Sequence, residues 1–424
     1  MTADPTELVQ GDRVEVTAGA PAHGGHCVAR IGGPHGQVVF VRHALPGERV
    51  TVEITELHRG YLRGDAVEIH EASPDRVTPP CPYAHPGGCG GCDLQHVAGD
   101  AQLRWKTSVV REQLERLAGL KDHPVRVEAL PGPDDATRLL GWRSRVRYAV
   151  DAADHPGLLQ HRSHQVVRID RCLIAHPAIQ DLDLLQRDWT DADALQAVAS
   201  TGGDVAVLAR PAGSRAPQPA DDLGEPASGG LVRLSGPDEV SEIADGRAFR
   251  VPPEGFWQVH PAAADTLVGV VLEMLRPAEG EAAWDLYGGA GLFAAALAAR
   301  TGARTIVVES SSIGVAAARA NLADLPSVEV VAAKVEVALQ RRRVAGPVDL
   351  VVLDPPRTGA GAQVVRAVAE AGPRAVAYVA CDPAALARDL KTFRSLGWRV
   401  AEVRAFDCFP MTQHIESVAL LLPT

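Results

Sequence analysis

Residues 282–300 read AAWDLYGGAGLFAAALAAR: an apolar run, a turn holding Gly288, Gly289 and Gly291, and an alanine-rich continuation. That pattern is a strand, a tight turn and a helix, with glycines where backbone comes close to a ligand. A turn that binds nothing needs the same glycines, so the flanking sequence has to decide. Downstream, TIVVESS (305–311), SVEVVAAKV (327–335), VDLVVLDPPR (348–357) and RAVAYVACDP (374–383) are further apolar strands. Between them lie helical stretches such as GVAAARANLADL (314–325) and PAALARDLKTFRSLG (383–397). Strands alternating with helices imply an α/β fold with a parallel sheet covered on both faces. The chain then changes habit, because WRVAEVRAFDCFP (398–410) and HIESVALLLP (414–423) are two strands with no helix between them.

Four side chains in this region carry chemistry. Glu309 ends the strand after the glycine turn, twenty-one positions beyond Gly288, where a carboxylate can accept both hydroxyls of an adenosine ribose. By itself this fits a dinucleotide and S-adenosylmethionine equally. Asp354, in LDPPR, leaves a strand beside two prolines that refuse helix, at the crevice where such sheets bind ligands. The structural alternative is an N-cap for the next helix. Related enzymes that methylate amines usually carry Asn in this place, so Asp points to a different acceptor atom. Cys381, in VACDPAALARDL (379–390), follows a buried strand and opens a helix whose dipole is expected to favour thiolate, which makes it a nucleophile candidate. Glu416, in MTQHIESVALL (411–421), enters an apolar strand, where desolvation raises a carboxyl into the range of a general base. The closing strand pair suits the methyltransferase variant of the doubly wound sheet better than the dinucleotide-dehydrogenase one.

The 424 residues exceed what one core usually supports, and three domains are expected, over 1–75, 76–245 and 246–424. Apolar content of 46% and charged content of 22% are those of a folded soluble protein. The sequence has no apolar run of the roughly 18 residues that read as a membrane span and no secretion-signal layout at its start, so a cytoplasmic protein is expected. Residues 11–70 read as short strands with Gly and Pro punctuation, a small OB-like β-barrel. A helix is expected from Arg104 to about Leu120, burying Val109, Val110, Leu114 and Leu117. Strand-like α+β sequence follows, with a low-complexity loop over 211–230. The net charge of −11 argues against wholesale binding to nucleic acid, yet residues 138–171 hold seven arginines against three aspartates, a local balance of +4. Such a stretch is a basic face for RNA or an ordinary solvated one.

Three of the seven cysteines fall in CPYAHPGGCGGC (81–92): Cys81, Cys89 and Cys92. Reduced thiols clustered in this way bind metal or act in catalysis more readily than they pair. Cys172, in IDRCLIAHP (169–177), can complete a set of four, which suits a cubane iron–sulfur cluster or tetrahedral zinc; spacing does not decide between them. Cys27 and Cys408 are read as structural.

The order of barrel, C…CGGC..QH, distant cysteine, F.Q, DLYGG.G, DPPR, CDPA.LARDL and H.ES resembles the bacterial TRAM-domain RNA (uracil-5-)-methyltransferases, across nearly the whole chain. The resemblance implies a class I, Rossmann-like methyltransferase domain behind a TRAM barrel. It implies a four-iron four-sulfur cluster on Cys81, Cys89, Cys92 and Cys172, in preference to zinc. It also implies that Gln258, Tyr287, Glu309 and Asp354 line the S-adenosylmethionine site, with Cys381 as nucleophile and Glu416 as base. The implied partner is structured RNA, ribosomal RNA before transfer RNA, with no obligatory protein partner. The chain departs from the family pattern in a longer first cysteine loop and in Gly288, His260, Asp382 and Gln413, where Cys, Asn, Asn and His are usual. Two rivals belong to other classes: an iron–sulfur oxidoreductase using a nicotinamide cofactor on the glycine turn, and a noncatalytic RNA-binding protein.

Overall fold

A computed structural model describes residues 8–132, 138–214 and 230–424. Most of the low-complexity stretch 211–230 and the first residues of the barrel segment lie outside them. Six strands between Arg13 and Glu71 form the N-terminal sheet, and the two longest, Arg49–Leu57 and Leu62–Glu71, alternate buried and more exposed side chains over most of their length, as a one-sided sheet requires. Its ends meet where Gly19 N–H donates to Val28 O at 2.7 Å and Val28 N–H donates to Ala20 O at 3.0 Å, which closes the barrel. A Cβ on Gly19 would sit 2.7 Å from Val28 O, so the closure needs glycine.

The middle region is a six-stranded antiparallel sheet from Arg145–Val150 to Val232–Ser235, followed by the hairpin Val240–Ala244 and Arg247–Val251. The C-terminal sheet has eight strands. Five are parallel, in the spatial order Val328–Ala332, Thr305–Glu309, Ala283–Leu286, Leu350–Leu353, Ala375–Ala380. Glu416–Pro423 and then Trp398–Asp407 continue the sheet antiparallel, which is the helix-free ending read from sequence. The chain order reverses between Ala283–Leu286 and Leu350–Leu353, and ligands of such sheets bind outside the carboxyl ends at that point.

Alternate residues of these strands enter two different cores. Ala283, Val307 and Val352 pack with the helices Ala263–Leu275 and Leu292–Thr301 and with the middle sheet. Trp284, Val308, Val351 and Leu353 pack with Gly361–Ala371, Pro383–Ser395 and Gly99–Ala118, in a core continuous with the barrel. A strand buried on both faces has no polar side to keep, which explains its unbroken apolar sequence. The helix Gly99–Ala118 carries Lys106 and Gln102 fully buried beside the expected Val109, Val110 and Leu114, while Leu117 is half-buried. Val127–Ala129 adds to the C-terminal sheet as its edge strand, parallel to Ala405–Asp407. Part of the segment read as the middle region therefore belongs to the sheet built by the last third of the chain.

Candidate active site

The glycine turn is held by backbone geometry. Tyr287 stands at φ +68°, and its N–H and that of Gly288 both donate to Val308 O, at 2.9 and 3.1 Å. A Cβ on Gly288 would come within 2.5 Å of Val307 Cγ1, so the chain folds this close to the next strand only without a side chain there. Glu309 clasps the turn: Oε2 accepts from Gly289 N–H at 3.0 Å, while Oε1 accepts from Ser310 N–H at 2.7 Å and Ser311 N–H at 2.5 Å.

Asp285, which sequence reading passed over, lies fully buried under the same turn. Its Oδ2 accepts from Ala294 N–H at 2.9 Å, and its Oδ1 has no partner. Burial pushes its pKa up to about 7, and the neighbouring Asp354 and Glu309 carboxylates add to the rise. The signal was present in sequence, since one acid interrupts the otherwise apolar strand AWDL. Three carboxylates around one crevice, one with an orphaned oxygen, suit a ligand carrying positive charge. S-adenosylmethionine, with its ammonium and sulfonium, fits; the diphosphate of a nicotinamide dinucleotide meets like charge instead.

Strand register builds the reacting end. Ala380 pairs with Ser417, which sets Cys381, one residue past its strand, opposite Glu416 at the start of the next. On the other flank Leu353 pairs with Tyr378, so Asp354 leaves the sheet beside them. The segment after Asp354 is fixed by buried Asp389, whose Oδ2 accepts from Tyr378 Oη–H at 2.6 Å and from Ala360 N–H at 2.8 Å. Ala360 takes the N-cap position of the following helix, so Asp354 is not its cap.

The helix dipole does not decide the state of Cys381. Burial raises its thiol pKa, the Glu416 and Asp354 carboxylates raise it further, and Arg357 opposes them. Partial charge at a helix end is outweighed by desolvation and the neighbouring carboxylates. Glu416, 3% exposed, has its carboxyl raised well above the usual range by burial first and by Asp354 second, again with Arg357 opposing. Arg357 is thus a further site residue missed from sequence. Asp382 caps the helix by accepting from Ala385 N–H at 2.7 Å and lies 2.9 Å from His23 Nε2 of the barrel, which brings the barrel to the residue beside Cys381.

Asp354, Cys381 and Glu416 come together, with Glu309 on the adjoining glycine turn. Tyr287 contributes its backbone to that turn, while its ring packs on the opposite core, near Glu336 and Asp389. Gln258 is buried in the loop before helix Ala263–Leu275 and makes no hydrogen bond to these carboxylates among the described residues. Ser144 N–H ties that loop to the middle sheet through Val259 O at 2.8 Å.

Among the described residues no three His, Cys, Asp or Glu side chains are grouped to hold a metal ion. The four cysteines nonetheless lie as neighbours in pairs. Burial raises the Cys92 thiol, and Cys172 and Cys89 raise it further. Burial likewise raises Cys172, with Cys81 adding to it. Thiols are the right donors for a shared cationic centre, yet no three of them are grouped as its ligands among the described residues. Cys27 donates to Ala44 O at 3.5 Å inside the barrel, a packing role.

The TRAM domain family matches residues 7–67, and the tRNA (Uracil-5-)-methyltransferase family matches residues 238–423. An uncharacterized RNA methyltransferase of Streptomyces avermitilis is 50% identical over 97% of this chain and 99% of its own length. One from Bifidobacterium longum is 38% identical over 96% of each. The crystal structure of the Pyrococcus abyssi tRNA (uracil-54, C5)-methyltransferase in complex with S-adenosyl-L-homocysteine superposes with a TM-score of 0.70, covering 97% of this chain and all of that one. At 24% identity that likeness is one of fold. Full-length identity of this order, with a TRAM match on the barrel and a methyltransferase match on the sheet that carries Cys381 and Glu416, makes the chain a member of the TRAM-domain RNA (uracil-5-)-methyltransferase family.

Proposed function

We propose that the protein methylates carbon 5 of a uridine in structured RNA through a covalent adduct on Cys381, with S-adenosylmethionine bound over the glycine turn by Glu309, Asp354, Tyr287 and Gln258. The observation that carries this reading is the register that sets Cys381 opposite Glu416 beside Asp354. Carbon 5 of uracil is a poor nucleophile toward a sulfonium methyl. Addition of the Cys381 sulfur to carbon 6 turns the ring into an enolate, and carbon 5 then takes the methyl group. Glu416 removes the remaining proton from carbon 5, the ring double bond re-forms, and the sulfur leaves. Cys381 rests protonated, so its proton has to go to a neighbouring carboxylate before attack; a cationic cofactor in the crevice favours the charged forms there.

Ribosomal RNA is the proposed substrate and transfer RNA the second choice, on the layout of barrel and four-cysteine segment that the family resemblance brings. The target base has to be exposed in a loop or flipped out to reach a thiol at this depth. We propose a four-iron four-sulfur cluster on Cys81, Cys89, Cys92 and Cys172, on the family resemblance and the thiol chemistry of the four positions. It would act as a clasp between the hinge and the middle region, since the reaction exchanges no electrons. A cytoplasmic setting, where thiols stay reduced, suits cysteines that would hold such a cluster.

The test is methyl transfer from labelled S-adenosylmethionine to total RNA of a strain lacking the gene, followed by nucleoside analysis. Label in 5-methyluridine, lost in Cys381→Ala, is expected. Full activity in Cys381→Ala would refute the covalent route, and no labelled nucleoside from folded wild-type protein would refute the reading as a whole.

A further inference from the structure

The segment between the last two strands, residues 408–415, delivers Glu416, and its own hydrogen bonds all fall between Phe409 and His414. Within it, Thr412 N–H and Oγ1–H donate to Phe409 O, at 3.2 and 2.8 Å, His414 N–H donates to Thr412 Oγ1 at 3.3 Å, and Gln413 Nε2 lies 3.4 Å from His414 Nδ1. Its other hydrogen bonds come from residues about 300 positions earlier. Gln102 Oε1 accepts from Met411 N–H at 2.9 Å. Asp93 and Leu94 N–H both donate to Met411 O, at 3.0 and 2.9 Å, and Asp93 Oδ2 accepts from Gln413 N–H at 3.1 Å. Met411 stands at φ +67°, a conformation that a side-chain-bearing residue keeps only where its surroundings over-determine it. Asp93 is buried, so no solvent can take its place, and its other carboxylate oxygen lies 3.6 Å from Arg42 of the barrel. Gly25 closes over the contact, for a Cβ there would be 3.0 Å from Asp93 Cβ and 3.2 Å from Gln413 Cβ.

We infer that Asp93 is a positioning residue for Glu416, so that the cysteine-rich segment and the barrel act on the release half of the reaction and not on methyl transfer. The inference rests on the reading of Glu416 as the base. Without the Asp93 acceptor, Gln413 N–H loses its partner and the turn has to re-route up to Glu416, the first residue of the strand it leads into. Cys381 sits on a different pair of elements, the strand Ala375–Ala380 and the helix Pro383–Ser395, and keeps its place. The sulfur–carbon 6 bond and the new methyl at carbon 5 therefore form as before. The next step then stalls: the carboxylate takes the carbon 5 proton, that electron pair makes the carbon 5–carbon 6 double bond, and the sulfur departs with the pair of its broken bond.

The experiment follows label from S-adenosylmethionine into two products on total RNA of a strain lacking the gene: a protein–RNA adduct stable on a denaturing gel, and free 5-methyluridine. In Asp93→Ala and in Gln102→Leu, made in the full chain, adduct should form at the wild-type rate while release slows about 10- to 100-fold. Asp93→Asn, which keeps an acceptor oxygen, should restore release. Equal slowing of both products in the two variants, or release unchanged in both, overturns the inference. Gln102→Leu, remote from the cysteines, decides the matter if Asp93→Ala fails to fold. Wild-type protein that makes no 5-methyluridine refutes the reading of the site instead, so the two failures stay distinct.

Discussion

Two turns at the carboxyl end of one sheet are held in opposite ways. The glycine turn at 287–291 is fixed by its own neighbourhood: Val308 O, Glu309 and Asp285 all lie within about two dozen residues of it in sequence. The turn at 408–415 is fixed from far away, by the Lys106–Asp407 ion pair across 301 positions, the Gln102–Met411 bond across 309 and the Asp93–Gln413 bond across 320. In the proposed function the first presents the cofactor and the second presents the base. A cofactor loop built from contiguous chain leaves a local pattern of glycines and an acid. A base delivered by a remotely held turn leaves no local pattern except the residue itself, and its placement depends on the first hundred residues being folded.

The largest effect should come at the end of the second turn. Glu416→Gln is expected to cut turnover roughly 10²- to 10⁴-fold while labelled adduct builds up, as loss of a general base does; unchanged turnover would remove Glu416 from the mechanism. Next is the remote support itself. Lys106 Nζ is 2.5 Å from Asp407 Oδ1 and also donates to Phe409 O at 3.0 Å, with both side chains buried. Lys106→Met leaves Asp407 charged and alone, so denaturant titration should show a loss of about 3–5 kcal/mol. A loss below 1 kcal/mol would mean that the turn stands without its distant anchor.

The local turn gives the contrasting results. Asp285 is ordinary at 3.8 in the unfolded chain and about 7 in the fold. Between about pH 4 and 7 the unfolded chain has released this proton and the folded one keeps it, so the contribution of Asp285 to stability falls as pH rises and levels off above 7. Thermal melts of cofactor-free Asp285→Asn against wild type should therefore show a stabilising gain that grows from pH 4 to 7, up to about 4 kcal/mol. A gain independent of pH would contradict this. Smallest is Gly288→Ala, which forces Val307 or the turn to shift and should cost about 1–3 kcal/mol. Its mark is weaker S-adenosylmethionine binding by calorimetry with an unaltered Cys381; wild-type affinity would show that the turn has slack.

The difference between the turns also sets what can be read from sequence. The alternation of strand and helix, the closing strand pair and the barrel strands were legible because burial on two faces or one writes itself into periodicity. Cys381, Glu416, Asp354 and Glu309 were legible because each ends or begins a strand at the crevice. The thiol state of Cys381 was not: the helix end argued for ionisation, while burial and the facing carboxylates, known only once three strands are side by side, argue against it and prevail. Lys106 reads as the polar side of the expected helix and Gln102 falls before its expected start, yet both are buried, with partners in the turn 408–415. Asp93 was passed over as the residue after a cysteine.

Sequence alone determined the classes of element, the sheet with its glycine turn, and the residue types proposed to react, because these follow from local periodicity and from motifs a few residues long. Tertiary structure decided which groups face one another: Asp285 under the glycine turn, Arg357 beside the thiol, His23 of the barrel against Asp382, and Asp93 holding the turn before Glu416. The physical reason is range. A hydrogen bond or a desolvated charge depends on distance in space, and across 300 residues of chain only the packed fold determines that distance.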